Sequence, residues 1–192
     1  MDYKILSIDD IKDEDILLIK EKMPKRFMKA SKYKTKPAFL RTIGGALLIL
    51  NNFDSFNEED IYFNEFNKPY LKNNLYFNIS HSGKYVVFTK SIKEVGIDIE
   101  IYNEKHLSIM DKVFQEDEIE YIKKDLIKRF YALWCMKESV IKALGFGFKL
   151  FPKSFNVLPF TNNQNIVINN KVISNETTIE SKYIVSMSIV ES

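Results

Sequence analysis

Two acidic residues in the segment Val95–Ile101 have a spacing that suits a divalent metal ion. Side chains at positions i and i+2 of a strand share a face, so Asp98 and Glu100 are expected to point the same way while Ile97 and Ile99 point inward. Mg²⁺ takes one or two protein carboxylates and completes its coordination with water and substrate phosphates. The segment therefore predicts a magnesium site, and the alternative is an ordinary strand with a solvated acidic face.

A second group of residues that suits chemistry lies in the segment 134–142. On a helix, Trp134, Glu138 and Lys142 fall at i, i+4 and i+8 and share one face. A glutamate and a lysine one turn apart often form a surface ion pair that contributes only about 0.3 kcal/mol. The large ring of Trp134, which favours burial, indicates instead a face that lines a cleft. On these residues alone, both interpretations stay open.

The segment Phe77–Gly83 places oxygen and nitrogen donors at the end of a predicted strand, just before a glycine. Such donors suit hydrogen bonds to a phosphate. A Ser–His nucleophile pair is excluded because Ser80 and His81 are neighbours, whose side chains point to opposite faces of a strand. With two histidines and one cysteine in the chain, a zinc site is disfavoured. The common glycine-rich nucleotide-binding loops do not occur in the sequence.

Hydrophobic periodicity assigns these residues to secondary structure. An apolar stripe predicts a helix over 126–144 that ends at Gly145, and similar spacing predicts another helix over 37–51. Predicted strands cover residues 3–8, 75–80, 85–90, 95–101, 154–158, 165–168 and 177–190, and residues 107–144 are expected to be largely helical. This order predicts an α+β fold with two halves of similar make-up, residues 1–101 and 102–192.

Composition limits the class of protein. The 192 residues include 28 Lys and Arg against 26 Asp and Glu, a formal charge of +2, and 45% of them are hydrophobic. We expect a sizeable core and no bulk binding of nucleic acid, which needs a strong basic excess. Cys135 is the only cysteine, the first residues do not resemble a signal peptide, and the longest strongly apolar run is Ala46–Leu50. These features predict a cytoplasmic protein without a membrane partner.

Taken together and in this order, the three motifs resemble those of the 4′-phosphopantetheinyl transferases, and more closely the larger, surfactin-synthetase-activating type. The family patterns F-N-[IV]-S-H-[ST], G-[IV]-D-[IV]-E and F-x-x-x-W-x-x-K-E-[SA]-x-x-K-x-x-G-x-G occur at residues 77–82, 96–100 and 130–147. The resemblance implies a pseudo-two-fold α/β arrangement of two similar halves with coenzyme A in the cleft between them. It also implies transfer of the phosphopantetheine arm of coenzyme A to a serine of an apo carrier protein, with release of 3′,5′-ADP.

The same resemblance implies a role for each matching residue. Asp98, Glu100 and Glu138 match the ligands of Mg²⁺, with Mn²⁺ as the alternative ion, and Glu138 also matches the proposed general base. Lys142 matches the lysine that contacts the pyrophosphate. The remaining coenzyme A contacts are implied at Arg41 for the 3′-phosphate, Lys68 and Pro69 beside the adenine, and Ser80 and His81 at the phosphates.

Less direct matches lie outside these motifs. Lys25 and Arg26 stand where the family has basic residues that reach the 3′-phosphate, and Glu118 matches a further acidic residue near the site. Asn67 departs from the glycine that usually precedes the position of Lys68. The resemblance also implies a monomer whose partners are coenzyme A and the apo carrier protein.

Two other classes of function are compatible with parts of this pattern. A non-catalytic relative would bind coenzyme A or a carrier protein but would lack the acidic groups and Lys142, which are present here. A Mg²⁺-dependent phosphodiesterase would use the same carboxylates and would hydrolyse its substrate without a carrier acceptor. The motifs at 77–82 and 130–147 are superfluous to that second alternative.

Overall fold

The computed structural model describes residues 2–72 and 75–191, which form an α+β fold with two antiparallel sheets. The fold class is the one that the sequence predicts. None of the helices within these ranges is long and apolar enough to cross a bilayer.

The first half of the fold, with the first sheet, is built from the residues that precede position 92. Its elements are β1 (Lys4–Ser7), α1 (Asp13–Lys22), α2 (Pro24–Ala30), α3 (Lys36–Leu50), β2 (Ile61–Phe63), β3 (Pro69–Leu71), β4 (Leu75–Ser82) and β5 (Tyr85–Ser91). The strands lie in the order β1-β5-β4-β3-β2. The sequence predicts β1, α3, β4 and β5, but the helices α1 and α2 and the short strands β2 and β3 were not predicted.

The second sheet repeats this plan. Its elements are β6 (Val95–Ile101), α4 (Met110–Val113), α5 (Glu116–Lys123), α6 (Leu126–Leu144), β7 (Ile166–Ile168), β8 (Lys171–Ile179) and β9 (Tyr183–Val190), in the strand order β6-β9-β8-β7. In each sheet the first strand pairs with the last strand of an antiparallel meander, which has four strands in the first sheet and three in the second, and a long helix precedes the meander. The two halves therefore share one topology, as the expected pseudo-two-fold arrangement requires.

The division between the halves is best judged from strand pairing. The strand β6 pairs with β9, so it belongs to the second sheet, although the predicted halves 1–101 and 102–192 assign it to the first. The change of sheet falls between Ser91 and Val95. The halves as predicted stay a proposal, and the topology favours an earlier division, between the end of β5 at Ser91 and the start of β6 at Val95.

The two long helices each cover one sheet. The helix α3 buries Ile43, Ala46 and Ile49 against the first sheet, and α6 buries Phe130, Leu133 and other apolar residues against the second. The helix α6 ends at Gly145, whose φ of +68° is the left-handed conformation that glycine adopts readily. These helices are the two that the apolar stripes predict.

Two strand predictions near the C-terminus are wrong. Residues 154–158 form no strand, because short 3₁₀ turns, Pro152–Ser154 and Leu158–Asn162, occupy both ends of the segment, and each has a proline in its first two positions, which proline favours. The predicted strand 177–190 is instead the hairpin of β8 and β9, which reverses at residues 180–182. The alternation of Val185, Met187 and Ile189 with polar residues predicts only β9, the second strand of that hairpin.

The helix α6 packs closely against β6 at Gly96. Among the glycines of the motifs, Gly96 leaves the least space for a side chain. A Cβ atom on Gly96 would lie 2.2 Å from the main-chain nitrogen of Ala143 and 2.2 Å from the carbonyl oxygen of Ser139. No side chain fits between a strand and a helix at these distances. The glycine at this position is therefore required by the packing of the backbone.

We expect Gly96→Ala to lower the free energy of unfolding by about 3 kcal/mol, because the new methyl group must push α6 away from β6. Gly45→Ala is the matched control, since its Cβ would meet only the Ile79 side chain at 3.5 Å. Alanine in a helix interior should stabilise that variant by about 0.5–1 kcal/mol. Urea denaturation of both proteins measures the difference, and equal stabilities would contradict the packing argument.

Candidate active site

The three sequence motifs meet at one cavity of about 300 Å³ between β4, β6 and α6. The strand β6 places its carboxylates along one wall, and α6 places its polar face along the opposite wall. The cavity is lined by Ile79, Ser80, His81, Asp98, Glu100, Trp134, Glu138 and Lys142. The structure therefore brings together both acidic strand residues, both charged helix residues and the serine and histidine of β4.

Local sequence explains why these side chains reach the cavity. Ile97 and Ile99 of β6 are fully buried, so the alternate residues Asp98 and Glu100 face the opposite side of the strand. On α6 the spacing of four residues places Trp134, Glu138 and Lys142 on consecutive turns of one face. The periodicities of 2 and of 3.6 are therefore sufficient to assign these five residues to two facing surfaces.

Asp98 is held by two polar neighbours through one of its oxygens. The Lys142 Nζ atom lies 2.5 Å from Asp98 Oδ1, and the Ser80 hydroxyl donates to the same oxygen at 2.7 Å. Lys142 also donates to Ser80 Oγ at 2.9 Å. Burial acts to lower the pKa of Lys142, but the Asp98 carboxylate outweighs it and holds that pKa above the ordinary lysine value.

The second oxygen of Asp98 has no hydrogen-bond partner. Asp98 is only 3% exposed, and its Oδ2 atom is buried and unpaired. The buried Cys135 thiol also interacts with this carboxylate, and Oδ2 remains available to a ligand that supplies positive charge or a donor.

Glu100 is fixed between two donors from different elements. The Ser82 hydroxyl of β4 donates to Glu100 Oε2 at 2.8 Å, and the indole Nε1 of Trp134 donates to Oε1 at 3.2 Å. Burial and the nearby Asp98 charge raise the pKa of Glu100 above its ordinary value. Trp134 is half-buried and borders the cavity, which supports the cleft interpretation over the surface ion pair.

Glu138 carries the largest acidic pKa shift in the cavity. Burial, followed by repulsion from Asp98 and Glu100, raises the pKa of Glu138 to about 6 despite the opposing attraction of Lys142. Three carboxylates thus share one ammonium group. Their mutual repulsion is a driving force for binding further positive charge.

Arg41 and His81 extend the site on the side of the first half. Arg41 Nη1 donates to the carbonyl of Gly83 at 3.0 Å, while its Nε atom is buried without a hydrogen-bond partner. Burial of the imidazole and the nearby Arg41 charge both lower the pKa of His81. An unpaired guanidinium donor beside an imidazole is suited to a phosphate.

The remaining predicted coenzyme A contacts lie in two other cavities. Lys68 borders a cavity of about 290 Å³ with Tyr76 and Glu94, donates from Nζ to the carbonyl of Ala143 at 2.5 Å, and has its pKa lowered by burial to about 8. Pro69 borders a separate cavity of about 380 Å³ with Lys25, Arg26 and Lys29. A larger cavity of about 590 Å³ beside β8 contains none of the predicted site residues.

Glu118 does not lie at the site. It is 0% exposed and pairs at 2.9 Å with Lys137, which is also 0% exposed and donates to the carbonyl of Pro152 at 2.8 Å. Its expected position near the acidic site is therefore wrong, because a capping interaction at the start of α5 turns its side chain into the core.

Sequence reasoning missed two residues that act on the site, Ser82 and Gly96. Both stand inside the motifs, and alternation along β4 would have grouped Ser82 with Ser80 and Asn78 on one face.

The arrangement is not a closed metal cage. Within the described part of the chain, no three His, Cys, Asp or Glu side chains converge as a ready metal site. Lys142 occupies one oxygen of Asp98, and Glu100 is bound by Ser82 and Trp134. The donor set nevertheless suits a divalent cation, because the buried Asp98 Oδ2 is unpaired and the carboxylates outnumber the ammonium group.

Comparisons with known proteins point to one family. Residues 94–188 match the model of the 4′-phosphopantetheinyl transferase superfamily. The chain is 37% identical over 124 residues to the 4′-phosphopantetheinyl transferase gsp of Aneurinibacillus migulanus, an alignment that covers 60% of this chain and 52% of the relative. It is 33% identical over 145 residues to the 4′-phosphopantetheinyl transferase Sfp of Bacillus subtilis, covering 70% and 65%. The chain thus spans about half to two thirds of the length of the curated relatives it matches.

We expect Glu138→Gln to stabilise the metal-free protein at about pH 7.5 by about 1 kcal/mol. The folded pKa of about 6 lies above the ordinary 4.5, so the fold disfavours the charged form of Glu138. Wild-type stability should therefore fall as the pH rises from about 4.5 to about 6, and the advantage of the variant should disappear near pH 4.5. Urea denaturation across this pH range measures it.

The control for this titration is Glu120→Gln on the exposed face of α5. Its hydrogen bond and ion pair with Lys123 lower the pKa of Glu120. The fold therefore favours the charged form of Glu120, and Glu120→Gln should, if anything, destabilise the protein at about pH 7.5. An exposed pair of this kind contributes little, and the stability of this variant should stay near that of the wild type. The stability difference between Glu138→Gln and the wild type should be larger at about pH 7.5 than at pH 4.5. An equal difference at both pH values would contradict the prediction.

Proposed function

This chain belongs to the 4′-phosphopantetheinyl transferase superfamily, and from that premise we propose that it transfers the phosphopantetheine arm of coenzyme A to a serine of an apo carrier protein. The products are the holo carrier protein and 3′,5′-ADP. Under this proposal the protein acts as a cytoplasmic monomer with coenzyme A as its co-substrate.

One observation carries the proposal. Among residues 2–72 and 75–191, the buried side-chain atoms without a hydrogen-bond partner are Arg41 Nε and Asp98 Oδ2. The first is a donor that suits an anion, and the second is an acceptor that suits a cation. A substrate that brings a phosphate together with a divalent ion satisfies both, and coenzyme A with Mg²⁺ is such a substrate.

Asp98, Glu100 and Glu138 are the residues that would hold Mg²⁺, or Mn²⁺ in its place. When bound, the ion offsets the negative charge of the diphosphate and of the departing oxygen. The three side chains line one cavity, and burial, followed by repulsion among them, raises the pKa of both glutamates. This repulsion favours a bound cation because a cation relieves it.

Lys142 and Glu138 act on the reacting groups in this proposal. The Lys142 ammonium, already charged because of Asp98, is positioned to move to a diphosphate oxygen. A Glu138 oxygen accepts the proton of the carrier serine. The serine oxygen then forms a bond to the phosphorus that bears the pantetheine arm, and the bond from that phosphorus to the bridging oxygen of 3′,5′-ADP breaks.

The nucleotide end of coenzyme A is assigned to the first half of the chain. Arg41 offers its unpaired Nε to the 3′-phosphate, and His81 and Ser80 border the path of the diphosphate. Lys25 and Arg26 share with Pro69 a cavity that suits the adenosine part. Lys68 lines neither the acidic cavity nor the cavity of Lys25 and Arg26, and its Nζ atom donates to the Ala143 carbonyl.

We expect the wild-type protein, mixed with coenzyme A, Mg²⁺ and a panel of apo carrier proteins, to add the mass of the phosphopantetheine arm to at least one of them. Glu138→Gln should lose this transfer by at least about 100-fold, because the variant lacks the proton acceptor. Mass spectrometry measures the product. Coenzyme A hydrolysis without any loaded carrier would favour the phosphodiesterase alternative, and a near-native rate for Glu138→Gln would remove the assigned role of Glu138.

We expect Arg41→Ala to weaken coenzyme A binding by about 10–100-fold, which corresponds to the loss of one or two charge-assisted hydrogen bonds, and to leave dephospho-coenzyme A binding little changed. Calorimetric titration of both ligands measures the difference. The matched control is Arg129→Ala, since Arg129 Nη1 also donates to a main-chain carbonyl at 3.0 Å, that of Tyr121, outside the cavity. Equal losses for the two ligands would remove Arg41 from the 3′-phosphate.

A further inference from the structure

Side chains of one face of β4 form hydrogen bonds across the junction between the two sheets, beside an apolar cluster in which Val87 of β5 packs with residues of β6 and β9. We call Asn78, Ser80 and Ser82 the polar ladder, because they occupy alternate positions of β4 and all contact β6. The main chain of β4 already pairs with β3 and β5, and that of β6 pairs with β9. The polar ladder therefore connects two strands that belong to different sheets.

The polar ladder binds both the main chain and the acidic side chains of β6. The amide of Ile97 donates to Asn78 Oδ1 at 2.9 Å, and the amide of Ile101 donates to Ser82 Oγ at 3.2 Å. Ser80 donates to Asp98 at 2.7 Å, and Ser82 donates to Glu100 at 2.8 Å. Each serine of the polar ladder thus holds one of the two carboxylates that β6 presents to the cavity.

Ser82 is the member with two functions at once. Its hydroxyl accepts from the main chain of β6 and donates to a carboxylate on the same strand. The opposite oxygen of Glu100 is bound by Trp134 on α6. Glu100 is therefore clamped between β4 and α6, and removal of the hydroxyl leaves one oxygen of the carboxylate free to turn.

We infer that Ser82 is a positioning residue, which orients the Glu100 carboxylate towards the bound cation. The inference rests on the proposed function, because it takes the cation site at Asp98, Glu100 and Glu138 as given. Two carboxylates on one strand face repel each other, so they converge only if their neighbours restrain them. Hydrogen-bond partners of metal ligands commonly change metal affinity by about 10–100-fold when they are removed.

The test compares four substitutions in the full chain. Ser82→Ala and Ser82→Val remove the hydroxyl, and Ser82→Thr retains it with nearly the shape of valine. Ser174→Ala is the matched control, because Ser174 is a half-buried strand serine that donates to a glutamate, Glu191 at 2.6 Å, away from the cavity. Circular dichroism first establishes that each protein is folded.

Three measurements follow on each protein. Electron paramagnetic resonance of free Mn²⁺ gives the affinity for the cation without coenzyme A. The emission of Trp134, the only tryptophan in the chain, reports whether the clamp on Glu100 has changed. Carrier loading at increasing Mg²⁺ gives the half-saturating concentration and the maximal rate separately.

Both variants without the hydroxyl should bind Mn²⁺ about tenfold more weakly, show altered Trp134 emission, and need about tenfold more Mg²⁺ while keeping most of kcat. Ser82→Thr should restore all three values, and Ser174→Ala should match the wild type. The inference is overturned if either the Mn²⁺ affinity or the emission stays at the wild-type value in both Ser82→Ala and Ser82→Val.

Failure of the proposed function gives a different pattern. If the wild type loads no carrier protein while the Ser82 variants still change Mn²⁺ affinity and emission, the transferase proposal fails and the positioning role of Ser82 stands. If the wild type loads a carrier and the Ser82 variants are indistinguishable from it, the transferase proposal stands and the positioning role of Ser82 fails. A wild type without measurable affinity for Mn²⁺ overturns the inference about Ser82, and a wild type that also loads no carrier protein overturns the transferase proposal.

Discussion

The contact between β6 and α6 at Gly96 is the constraint on which the site depends. The two backbones approach so closely that a Cβ at Gly96 would fall 2.2 Å from atoms of α6. At this separation the residues of one helix face lie directly along the strand carboxylates, so Lys142 reaches Asp98 at 2.5 Å and Trp134 reaches Glu100 at 3.2 Å. A wider spacing would divide one compact group of charges into two solvated surfaces.

The charges gathered by this contact oppose folding and favour binding. Burial and mutual repulsion raise the pKa of Glu100 and Glu138, while Lys142 compensates only part of the negative charge. The apolar core around the site offsets this unfavourable contribution to the free energy of folding. Lys137, the neighbour of Glu138, points the other way and joins Glu118 and the carbonyl of Pro152 in the interior. Successive residues of α6 thus serve stability on one face and ligand binding on the other.

The sequence predicts what depends on local periodicity and misses what depends on the placement of one element against another. The alternation in β6 and the apolar stripe of α6 are local, and both elements have the predicted bounds. The helix α1 was missed because nine of its ten residues remain wholly or partly exposed and charged side chains dominate it, so its apolar stripe is weak. The role of Ser82 depends on how two sheets meet, which no spacing within β4 specifies, and the inward turn of Glu118 depends on a cap at α5.

The duplicated topology explains why the site needs both halves. The segment 94–188 that matches the family contains the strand and helix that bear Asp98, Glu100, Glu138 and Lys142. The donors suited to phosphate, at Arg41, Ser80 and His81, come from α3 and β4 of the preceding half. The carboxylates proposed to bind the cation and the donors proposed to bind phosphate, Lys142 excepted, are therefore encoded in separate halves and come together where the two sheets meet. If the chain binds the proposed diphosphate substrate and its counter-ion, both would bridge the same junction, so that binding and the packing of the two halves would stabilise each other.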